Sequence, residues 1–374
     1  MTENPNTTPI TVTHIISGDL WAGAEVQVYN LCKALDSSKE VAVTAVVFNP
    51  GILHDKLIDL GIAVTLADEA KTGTLAIAKA IARHCRTQKT DIVHTHGFKE
   101  NMLGILGKEL ARVRYSVRTV HGNPEHQLSW KKPRKWIASR LDIWSTRTRQ
   151  QAIIAVSSQL QRTLESIFPG KVYKIFNFID VNELRDAWLP NPTKTSPEIR
   201  LGIVGRLVPV KRIDLFLETI RSLKADGMDC KGIIIGDGPL KMELKLLAKE
   251  LGIEDRVEFC GFINPVAEKM RSLDVVLMTS DHEGLPMTLL EALTLELPVV
   301  AHKIGGIPEI LEQGRCGWLV EDHTTLGYSS AVREVIADKK ERKEKQNRGL
   351  YHVANQFGLT KNCKQYIEIY SSFH

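Results

Sequence analysis

The chain has 374 residues, a formal net charge of +5, 43% hydrophobic residues and 25% charged residues. This length exceeds what one hydrophobic core usually serves, so it predicts two domains, and the composition is typical of a soluble globular protein. The small positive charge favours an anionic ligand or surface, but no RNA- or DNA-binding motif accompanies it, so we expect no nucleic-acid partner.

The six cysteines are irregularly spaced and include no C-x-x-C pair. This usage is typical of a reduced, cytosolic chain in which cysteines pack as small apolar side chains. The first nine residues are polar, so we expect no signal sequence. No apolar run reaches about 18 residues, so we expect no membrane span.

The first half alternates short apolar segments with helical patterns, which predicts a doubly wound, parallel α/β sheet. Gly23 lies at the mouth of a helix predicted over residues 24–34 and would let the backbone approach a phosphate closely. The alternative is a plain loop. The predicted strands are 10–16, 41–48, 64–66, 92–96, 116–121, 152–156 and 172–175.

Histidines recur at the ends of these strands, at His14, His94, His96 and His121. His94 and His96 are two residues apart, so they face one side of an extended strand. Zinc needs a third ligand and usually a fourth, and no carboxylate or cysteine pattern completes such a set. We therefore expect no metal, and we interpret the histidines as polar groups lining a cleft between domains. A hydrogen-bonded strand-end histidine is the alternative for His121.

Residues 130–149 contain three tryptophans, seven basic residues and one acidic residue, Asp142. Trp130, Ile137, Leu141 and Trp144 fall near one face of a helix and are flanked by basic residues. A helix that lies on an anionic membrane surface has this pattern. The alternative is a helix that packs its apolar side on the sheet. The first interpretation predicts a cytoplasmic protein bound peripherally to the inner face of the cytoplasmic membrane.

Residues 189–197 are rich in Pro, Ser, Thr and Asn and form the predicted linker. It separates an N-terminal domain, 1–188, from a C-terminal domain, 198–355. The last segment, 356–374, contains a predicted helix. Strands of the second half are predicted near 200–204, 231–235, 257–260, 275–278, 298–301 and 317–320.

Two basic residues follow the first strand of the second half. Gly205, Arg206 and Lys211 come directly after the apolar run 201–204. Ligands of open α/β sheets bind at the carboxyl ends of strands. Arginine offers a planar fork to phosphate oxygens and lysine a mobile charge. An ordinary basic loop is the alternative.

Residues 281–293 predict a strand end, a turn and a helix, with Glu283 before the helix and Glu291 within it. Eight helical residues span about 12 Å, which is too far for two carboxylates that share one reacting bond. The spacing suits two carboxylates that bind different hydroxyls of one long ligand, with a helix N-terminus between them for an anion. A sugar nucleotide has that layout. The alternative is two solvated glutamates.

These segments, in this order, resemble the family 4 retaining glycosyltransferases of the GT-B fold. The resemblance rests on GRLVPVKR at 205–212, GDGP at 236–239, EGLPMTLLEA at 283–292 and GGIPEI at 305–310. In the N-terminal half it rests on WAGAEVQVYNL at 21–31, DIVHTHG at 91–97 and VSS at 156–158. It implies two Rossmann-like, doubly wound parallel-sheet domains facing a central cleft, with the C-terminal helix crossing back to the N-terminal domain.

The resemblance also implies retaining transfer of a sugar from a nucleotide-diphosphate donor to an acceptor hydroxyl. The acceptor is expected to be a bacterial cell-surface or lipid-linked glycan. No cofactor or metal is expected, which agrees with the absence of any D-x-D pair. Two other classes remain open: a nucleotide-sugar 2-epimerase, which needs no acceptor, and a non-catalytic nucleotide-sugar-binding protein.

By the same resemblance, Arg206 and Lys211 are assigned to the diphosphate, Glu283 to sugar hydroxyls, Glu291 to ribose hydroxyls, and His121 to the donor sugar. The remaining residues expected to bind the donor are Gly23, Gly205, Ile263, Gly284, Leu285, Pro286, Met287 and Thr288.

Overall fold

The structure is a computed structural model that describes residues 9–122, 133–189 and 197–373. Its contacts divide the chain into two compact units. The first unit runs to Phe178 and includes the chain from Leu359 onward, and the second unit is Ile179–Gly358.

The first unit contains a seven-stranded parallel sheet in the order β3-β2-β1-β4-β5-β6-β7. Its strands are rich in Val, Ile and Ala, as expected for strands that helices cover on both faces. The strands are β1 Ile10–Ile16, β2 Val41–Val47, β3 Ala63–Leu66, β4 Ile92–Thr95, β5 Tyr115–Val120, β6 Ala152–Ala155 and β7 Val172–Lys174.

Six helices connect these strands, and the C-terminal helix packs into the same core through the buried Tyr366 and Tyr370. The connecting helices are α1 Gly23–Ser38, α2 Ile52–Asp59, α3 Thr74–Thr87, α4 Phe98–Ala111, α5 Pro133–Arg149 and α6 Ser158–Ile167.

The second unit contains a six-stranded parallel sheet in the order β10-β9-β8-β11-β12-β13. Its strands are β8 Ile199–Val204, β9 Cys230–Ile235, β10 Val257–Gly261, β11 Val275–Met278, β12 Val299–His302 and β13 Trp318–Val320. The helices of this unit, followed by the C-terminal helix of the first unit, are α7 Val181–Trp188, α8 Ile213–Ala225, α9 Lys241–Glu250, α10 Ala267–Met270, α11 Met287–Thr294, α12 Ile307–Ile310, α13 Thr325–Ala337, α14 Lys339–Gln356 and α15 Leu359–Ser371.

Both sheets confirm the predicted doubly wound, parallel α/β class, and all thirteen predicted strands are present within two residues of their predicted ends. Each sheet reverses its strand order once, between β1 and β4 in the first unit and between β8 and β11 in the second. The carboxyl ends of strands beside such a reversal form the usual ligand crevice of this architecture.

The division of the chain differs from the predicted boundary after residue 188, because α7 belongs to the second unit. Arg185 of α7 donates hydrogen bonds to the Glu296 carboxylate at 3.0 Å and to the Thr294 carbonyl at 3.3 Å, both in the second unit. Most of the predicted linker, residues 190–196, lies outside the described residues. The C-terminal helix α15 lies in the first unit, with the strands of the N-terminal half.

Candidate functional site

The turn after β8 carries the first two predicted ligand-binding cations. The Gly205 N–H donates to the Ile235 carbonyl at 3.0 Å, and the Leu207 N–H donates to the Asp237 carbonyl at 2.9 Å. These bonds fasten the half-buried Arg206 between two anchored neighbours at the carboxyl edge of the sheet. A short 3-10 helix, Pro209–Lys211, then returns the chain toward β11.

Lys211 and Glu283 form an ion pair at this edge. The Lys211 Nζ donates to Glu283 Oε1 at 2.6 Å, and the Ser280 hydroxyl donates to the same oxygen at 2.7 Å. The Glu283 side chain is 9% exposed and the Lys211 side chain 22% exposed. Within the described residues Oε2 of Glu283 makes no hydrogen bond, so one carboxylate oxygen is held in place while the other remains available to a hydroxyl.

A glycine pair after β12 holds the backbone of the Glu283 turn. The Gly306 N–H donates to the Gly284 carbonyl at 2.7 Å. Gly305 has φ +60°, and a Cβ there would lie 2.0 Å from the Glu283 carbonyl oxygen. The close approach therefore requires glycine at position 305 on two grounds, space and backbone conformation.

Glu291 lies in the second turn of helix α11. The helix begins at Met287, and Pro286 occupies the N-cap position, with no side chain capping the N-terminus. Burial raises the pKa of the Glu291 carboxyl to about 7. In the part of the chain that the structure describes, this carboxyl has neither a hydrogen bond nor an ion pair. By exposed area Glu291 is half-buried, and a carboxyl with a raised pKa and no partner among the described residues is typical of ligand sites.

The other predicted donor-binding residues of the second unit lie at the same edge of the sheet. Leu285 and Met287 are buried, at 3% and 4% exposure, so their side chains pack inward. Thr288 is half-buried in the first turn of α11. Ile263 follows the end of β10 by two residues, and β10 is aligned with β9 by the bond from the Gly236 N–H to the Gly261 carbonyl at 2.8 Å.

In the first unit, Gly23 is the exposed first residue of α1, one residue earlier than the predicted helix start. The N–H of Ala22 donates to Glu25 Oε2 at 3.3 Å, so the Glu25 side chain already accepts from one backbone N–H at this helix end. Burial raises the pKa of Glu25 to about 7. A phosphate approaching Gly23 would compete with this carboxylate for the same donor.

Three of the four strand-end histidines, His14, His96 and His121, form a hydrogen-bonded chain. His14 Nδ1 lies 2.9 Å from His96 Nε2, and His96 Nδ1 lies 3.3 Å from His121 Nε2. His94 bonds the Tyr370 hydroxyl at 2.7 Å and the Thr119 hydroxyl at 2.8 Å. His14 and His94 are fully buried in the first unit, so the interpretation of all four as groups lining a cleft is wrong for these two.

Burial lowers the pKa of all four histidines. The pKa is about 3 for His14 and about 4 for His121, and it is well below 6.5 for His94 and His96. The rings are therefore neutral at pH 7. The Nδ1 atom of His121 is buried and has no hydrogen-bond partner among the described residues. Its predicted role toward a donor sugar stays a prediction.

Three of these rings offer the one metal-ligand group found among the described residues. Ligand atoms of His14, His94 and His96 lie within 4.8 Å of one another. Neutral imidazoles are the form that binds transition metals. Both nitrogens of His94 are already bonded to hydroxyls, so a metal would have to displace one of them. The expectation that the protein needs no metal stays a prediction.

Helix α5 has its polar face inward and its apolar face outward. Asp142 is buried and accepts hydrogen bonds from Arg118 at 2.9 Å and from Asn101 at 2.7 Å. Ile137, Leu141 and Trp144 are 52%, 48% and 59% exposed. The alternative of an apolar side packed on the sheet is wrong for these three residues, and Trp130 lies outside the described residues. None of the described helices is long and apolar enough to cross a membrane.

Known protein families match both halves of the chain. The family model described as Glycosyltransferase Family 4 matches residues 21–183, and the model described as Glycosyl transferases group 1 matches residues 185–350. The chain belongs to the family 4, group 1 glycosyltransferases. This confirms the family that the sequence resemblance predicted. The roles assigned to Arg206 and Glu283 stay predictions.

This glycosyltransferase is similar to the N-acetyl-alpha-D-glucosaminyl L-malate synthase of Bacillus anthracis, with 29% identity over 304 residues that cover 79% of this chain and 78% of the relative. It is 27% identical to the UDP-Gal:alpha-D-GlcNAc-diphosphoundecaprenol alpha-1,3-galactosyltransferase of Escherichia coli, with 68% of each chain covered. The structure of Anabaena Alr3699/HepE in complex with UDP-glucose has the same fold, with a TM-score of 0.81, 21% identity, and coverage of 97% of this chain and 100% of that one.

Two features of the site were not predicted from the sequence. One is Ser280, whose hydroxyl bonds the same Glu283 oxygen as Lys211, and the other is the close approach of Gly305 to the Glu283 carbonyl. The Ser280 hydroxyl could have been suspected only from its place three residues before Glu283 at a strand end. The contact from Gly305 to the Glu283 carbonyl joins two loops and has no local sequence pattern.

Gly305→Ala is expected to lower kcat/KM for the donor about tenfold to a hundredfold, because the new Cβ displaces the Glu283 backbone and a 1 Å misplacement can have that effect. Gly227→Ala is the matched control. Gly227 also has a left-handed φ, +81°, but a Cβ there would meet nothing within 4 Å. Both variants are compared by steady-state kinetics. Equal losses of kcat/KM in Gly305→Ala and Gly227→Ala would contradict a specific role for the Gly305 contact.

Proposed function

We propose that this glycosyltransferase is a retaining, metal-independent enzyme that moves a sugar from a nucleotide-diphosphate donor to an acceptor hydroxyl. One observation carries the proposal. At the strand-order reversal of the second sheet, a Lys211–Glu283 ion pair lies beside the turn that holds Arg206. Glu291, which has no partner among the described residues, follows on the adjoining helix. Cations and separate carboxyls are the groups that a diphosphate with sugar hydroxyls on either side would require.

The main chemical demand is the negative charge that grows on the leaving diphosphate. Arg206, Lys211 and the uncapped N-terminus of α11 supply fixed positive charge and dipole for it without a metal ion. Glu283 binds sugar hydroxyls through Oε2, since Oε1 is held by Lys211 and Ser280. Glu291 binds ribose hydroxyls. The acceptor oxygen bonds to the anomeric carbon on the face from which the diphosphate departs, and the departing phosphate takes the hydroxyl proton. The anomeric configuration is therefore retained.

The relatives support a nucleotide-sugar donor and a glycan or lipid-linked acceptor. The name of the Escherichia coli relative gives UDP-Gal as donor and a diphosphoundecaprenol-linked sugar as acceptor, and the Anabaena protein was solved with UDP-glucose. We therefore assign this enzyme to bacterial cell-surface or lipid-linked glycan synthesis.

The direct test is a thermal-shift screen of nucleotide sugars in EDTA, followed by product analysis with lipid-linked acceptors. The proposal expects one nucleotide series to stabilise the protein and the product to keep the donor's anomeric configuration by NMR. Inversion, or activity that EDTA abolishes, would overturn the corresponding part. Epimerised sugar still attached to its nucleotide would establish an isomerase instead.

We also propose that α5 lies against an anionic membrane, which would place the enzyme peripherally on the inner face of the cytoplasmic membrane, close to a lipid-linked acceptor. The outward apolar face of Ile137, Leu141 and Trp144 supports this, together with the exposed Arg140 and Arg147 on the same helix. Each basic residue near such a surface contributes about 1 kcal/mol, and burial of each apolar side chain contributes about 1.5–3 kcal/mol.

Trp144→Ala is expected to weaken binding to anionic vesicles about tenfold, because the apolar contact is lost while the buried Asp142 network is untouched. Leu326→Ala is the matched control, since Leu326 is 67% exposed in the second unit. Co-sedimentation at low and high salt gives the result. Absence of salt-sensitive binding by the parent protein would remove the membrane proposal.

A further inference from the structure

Two histidine rings are stacked behind the Glu283 turn. The rings of His302 and His323 have centroids 3.7 Å apart and lie within 13° of parallel. His302 ends β12, and His323 lies in the turn before α13, so two separate elements supply the pair. No motif in the sequence joins them to the donor-binding residues.

Each ring donates a hydrogen bond to one of two consecutive carbonyls that follow β11. His302 Nδ1–H donates to the Ser280 carbonyl at 2.8 Å, and His323 Nε2–H donates to the Thr279 carbonyl at 2.8 Å. Thr279 and Ser280 are buried, at 0% and 1% exposure, so water cannot easily replace either imidazole N–H at their carbonyls.

These same two residues hold the donor-binding groups. The Ser280 hydroxyl donates to Glu283 Oε1 at 2.7 Å. The Thr279 hydroxyl donates to the carbonyls of Lys211 and Arg212, both at 2.9 Å. The path from each ring to a donor-binding residue is therefore two consecutive hydrogen bonds.

We infer that the stacked pair of His302 and His323 is a positioning device that sets the Thr279–Ser280 backbone, and through it the carboxylate of Glu283 and the backbone of Lys211. The inference rests on the proposed function, because it gives Glu283 the donor sugar as its ligand. Neither ring is assigned a contact with substrate. An imidazole ring stacked on a second ring has little freedom to move. The two ring N–H groups therefore hold both carbonyls in place.

Charged and aromatic groups surround the two rings. Asp281 Oδ1 lies 3.6 Å from His323 Nδ1 and 3.3 Å from an Arg212 Nη1, so its charge is shared between the two. Tyr328 meets His323 edge-on at 5.9 Å. Burial lowers the pKa of His302, and the neighbouring His323 and His282 act in the same direction. The hydrogen bond to the Ser280 carbonyl and the charge of Asp281 oppose this shift. His302 is thus neutral at pH 7 and keeps its Nδ1–H tautomer through the Ser280 bond.

The two rings donate from different nitrogens, which permits a crossed test by substitution. An asparagine amide takes the place of Nδ1, and a glutamine amide reaches the place of Nε2. At position 302 we expect His302→Asn to keep the donor kcat/KM near that of the parent and His302→Gln to lower it about tenfold. At position 323 the order is reversed: His323→Gln keeps activity and His323→Asn lowers it by a similar factor.

A second readout separates positioning from general damage. His302→Gln should raise the KM for the nucleotide sugar while the Kd for the free nucleoside diphosphate stays within about twofold of the parent, because Glu283 contacts the sugar alone. If all four variants behave alike, or if His302→Gln weakens the free diphosphate as much as the nucleotide sugar, the inference is overturned. Should a glutamine or asparagine variant fail to fold, the other position still gives its own ordered pair.

The parent protein and Glu283→Ala identify which proposal has failed. If the parent binds no nucleotide sugar, both the proposed function and this inference are overturned. If Glu283→Ala weakens the donor and the crossed order at 302 and 323 is absent, the proposed function stands and the positioning role does not.

Discussion

Replacing Arg206 with alanine is expected to lower kcat about a hundred- to a thousandfold, which corresponds to about 2.7–4 kcal/mol of lost transition-state stabilisation. The expectation follows from the place of Arg206 at the carboxyl end of β8, in a turn that two backbone bonds fix in position. A preorganised cation there stabilises charge that appears only as the sugar leaves, so turnover should suffer more than donor binding.

Glu291→Ala should have the opposite profile, with weaker nucleotide affinity and little change in turnover of bound donor, since ribose is remote from the reacting bond. Arg221→Ala, at an exposed position on α8, is the control for loss of one positive charge. Saturation kinetics give kcat for the bound donor, and nucleotide titrations give the Kd. Equal loss of binding in Arg206→Ala and Glu291→Ala, with turnover of bound donor intact, would contradict the assigned roles.

The first unit is expected to lose several kcal/mol of stability between pH 7.5 and pH 5.5. Burial lowers the pKa of five of its histidines: His14 to about 3, His84 and His121 to about 4, and His94 and His96 well below 6.5. Below pH 6.5 the unfolded chain takes up protons that the folded rings cannot, so stability falls as pH falls. Each such histidine contributes about 1 kcal/mol to this loss over the two pH units.

Two buried carboxyls of the same unit oppose this trend. Burial raises the pKa of Glu25 to about 7 and also raises that of Glu100. These groups bind protons in the folded state before the unfolded chain does, so acidification stabilises the fold through them. Five groups act in one direction and two in the other, which leaves a net loss toward acid pH. Total stabilities of about 5–15 kcal/mol make that loss large.

Hydrogen-exchange mass spectrometry at pH 7.5 and 5.5, corrected for intrinsic exchange, reports each unit separately. The strands β1, β4 and β5 should lose protection first. His84→Asn keeps a hydrogen-bond donor for the Thr65 hydroxyl that bonds His84 Nδ1 at 2.8 Å. It should reduce the loss of stability between pH 7.5 and pH 5.5 by about 1 kcal/mol. A first unit whose protection is unchanged at pH 5.5 would contradict the neutral, buried histidine chain.

The sheets could be predicted because each strand is a short run of apolar residues, many of them β-branched, ended by glycine, a polar residue or a charge. The run 201–204 before Gly205 and the run 275–278 before the Glu283 turn are examples. Parallel order then places both strand ends at one edge, which brought Lys211 and Glu283 together as a consequence of topology.

The remaining features depend on contacts between side chains far apart in sequence. The stack of His302 on His323 follows from the packing of two loops, and no periodicity encodes it. The same holds for the buried chain from His14 to His121, whose rings come from three strands. The predicted domain boundary after residue 188 lies beyond the observed one after Phe178. Helix α7 is amphipathic and lies beside a polar linker, and its sequence does not indicate which unit Arg185 contacts.

The central claim is that the carboxyl edge of the second sheet binds the diphosphate end of the donor. Calorimetric titration of nucleoside diphosphates in EDTA tests it most directly, with the parent protein beside Lys211→Ala and Glu291→Ala. We expect the parent to bind one diphosphate of the series and both variants to bind it at least about tenfold more weakly. Equal affinity in all three proteins, or no binding by the parent to any nucleoside diphosphate, would contradict the assignment of this edge as the donor site.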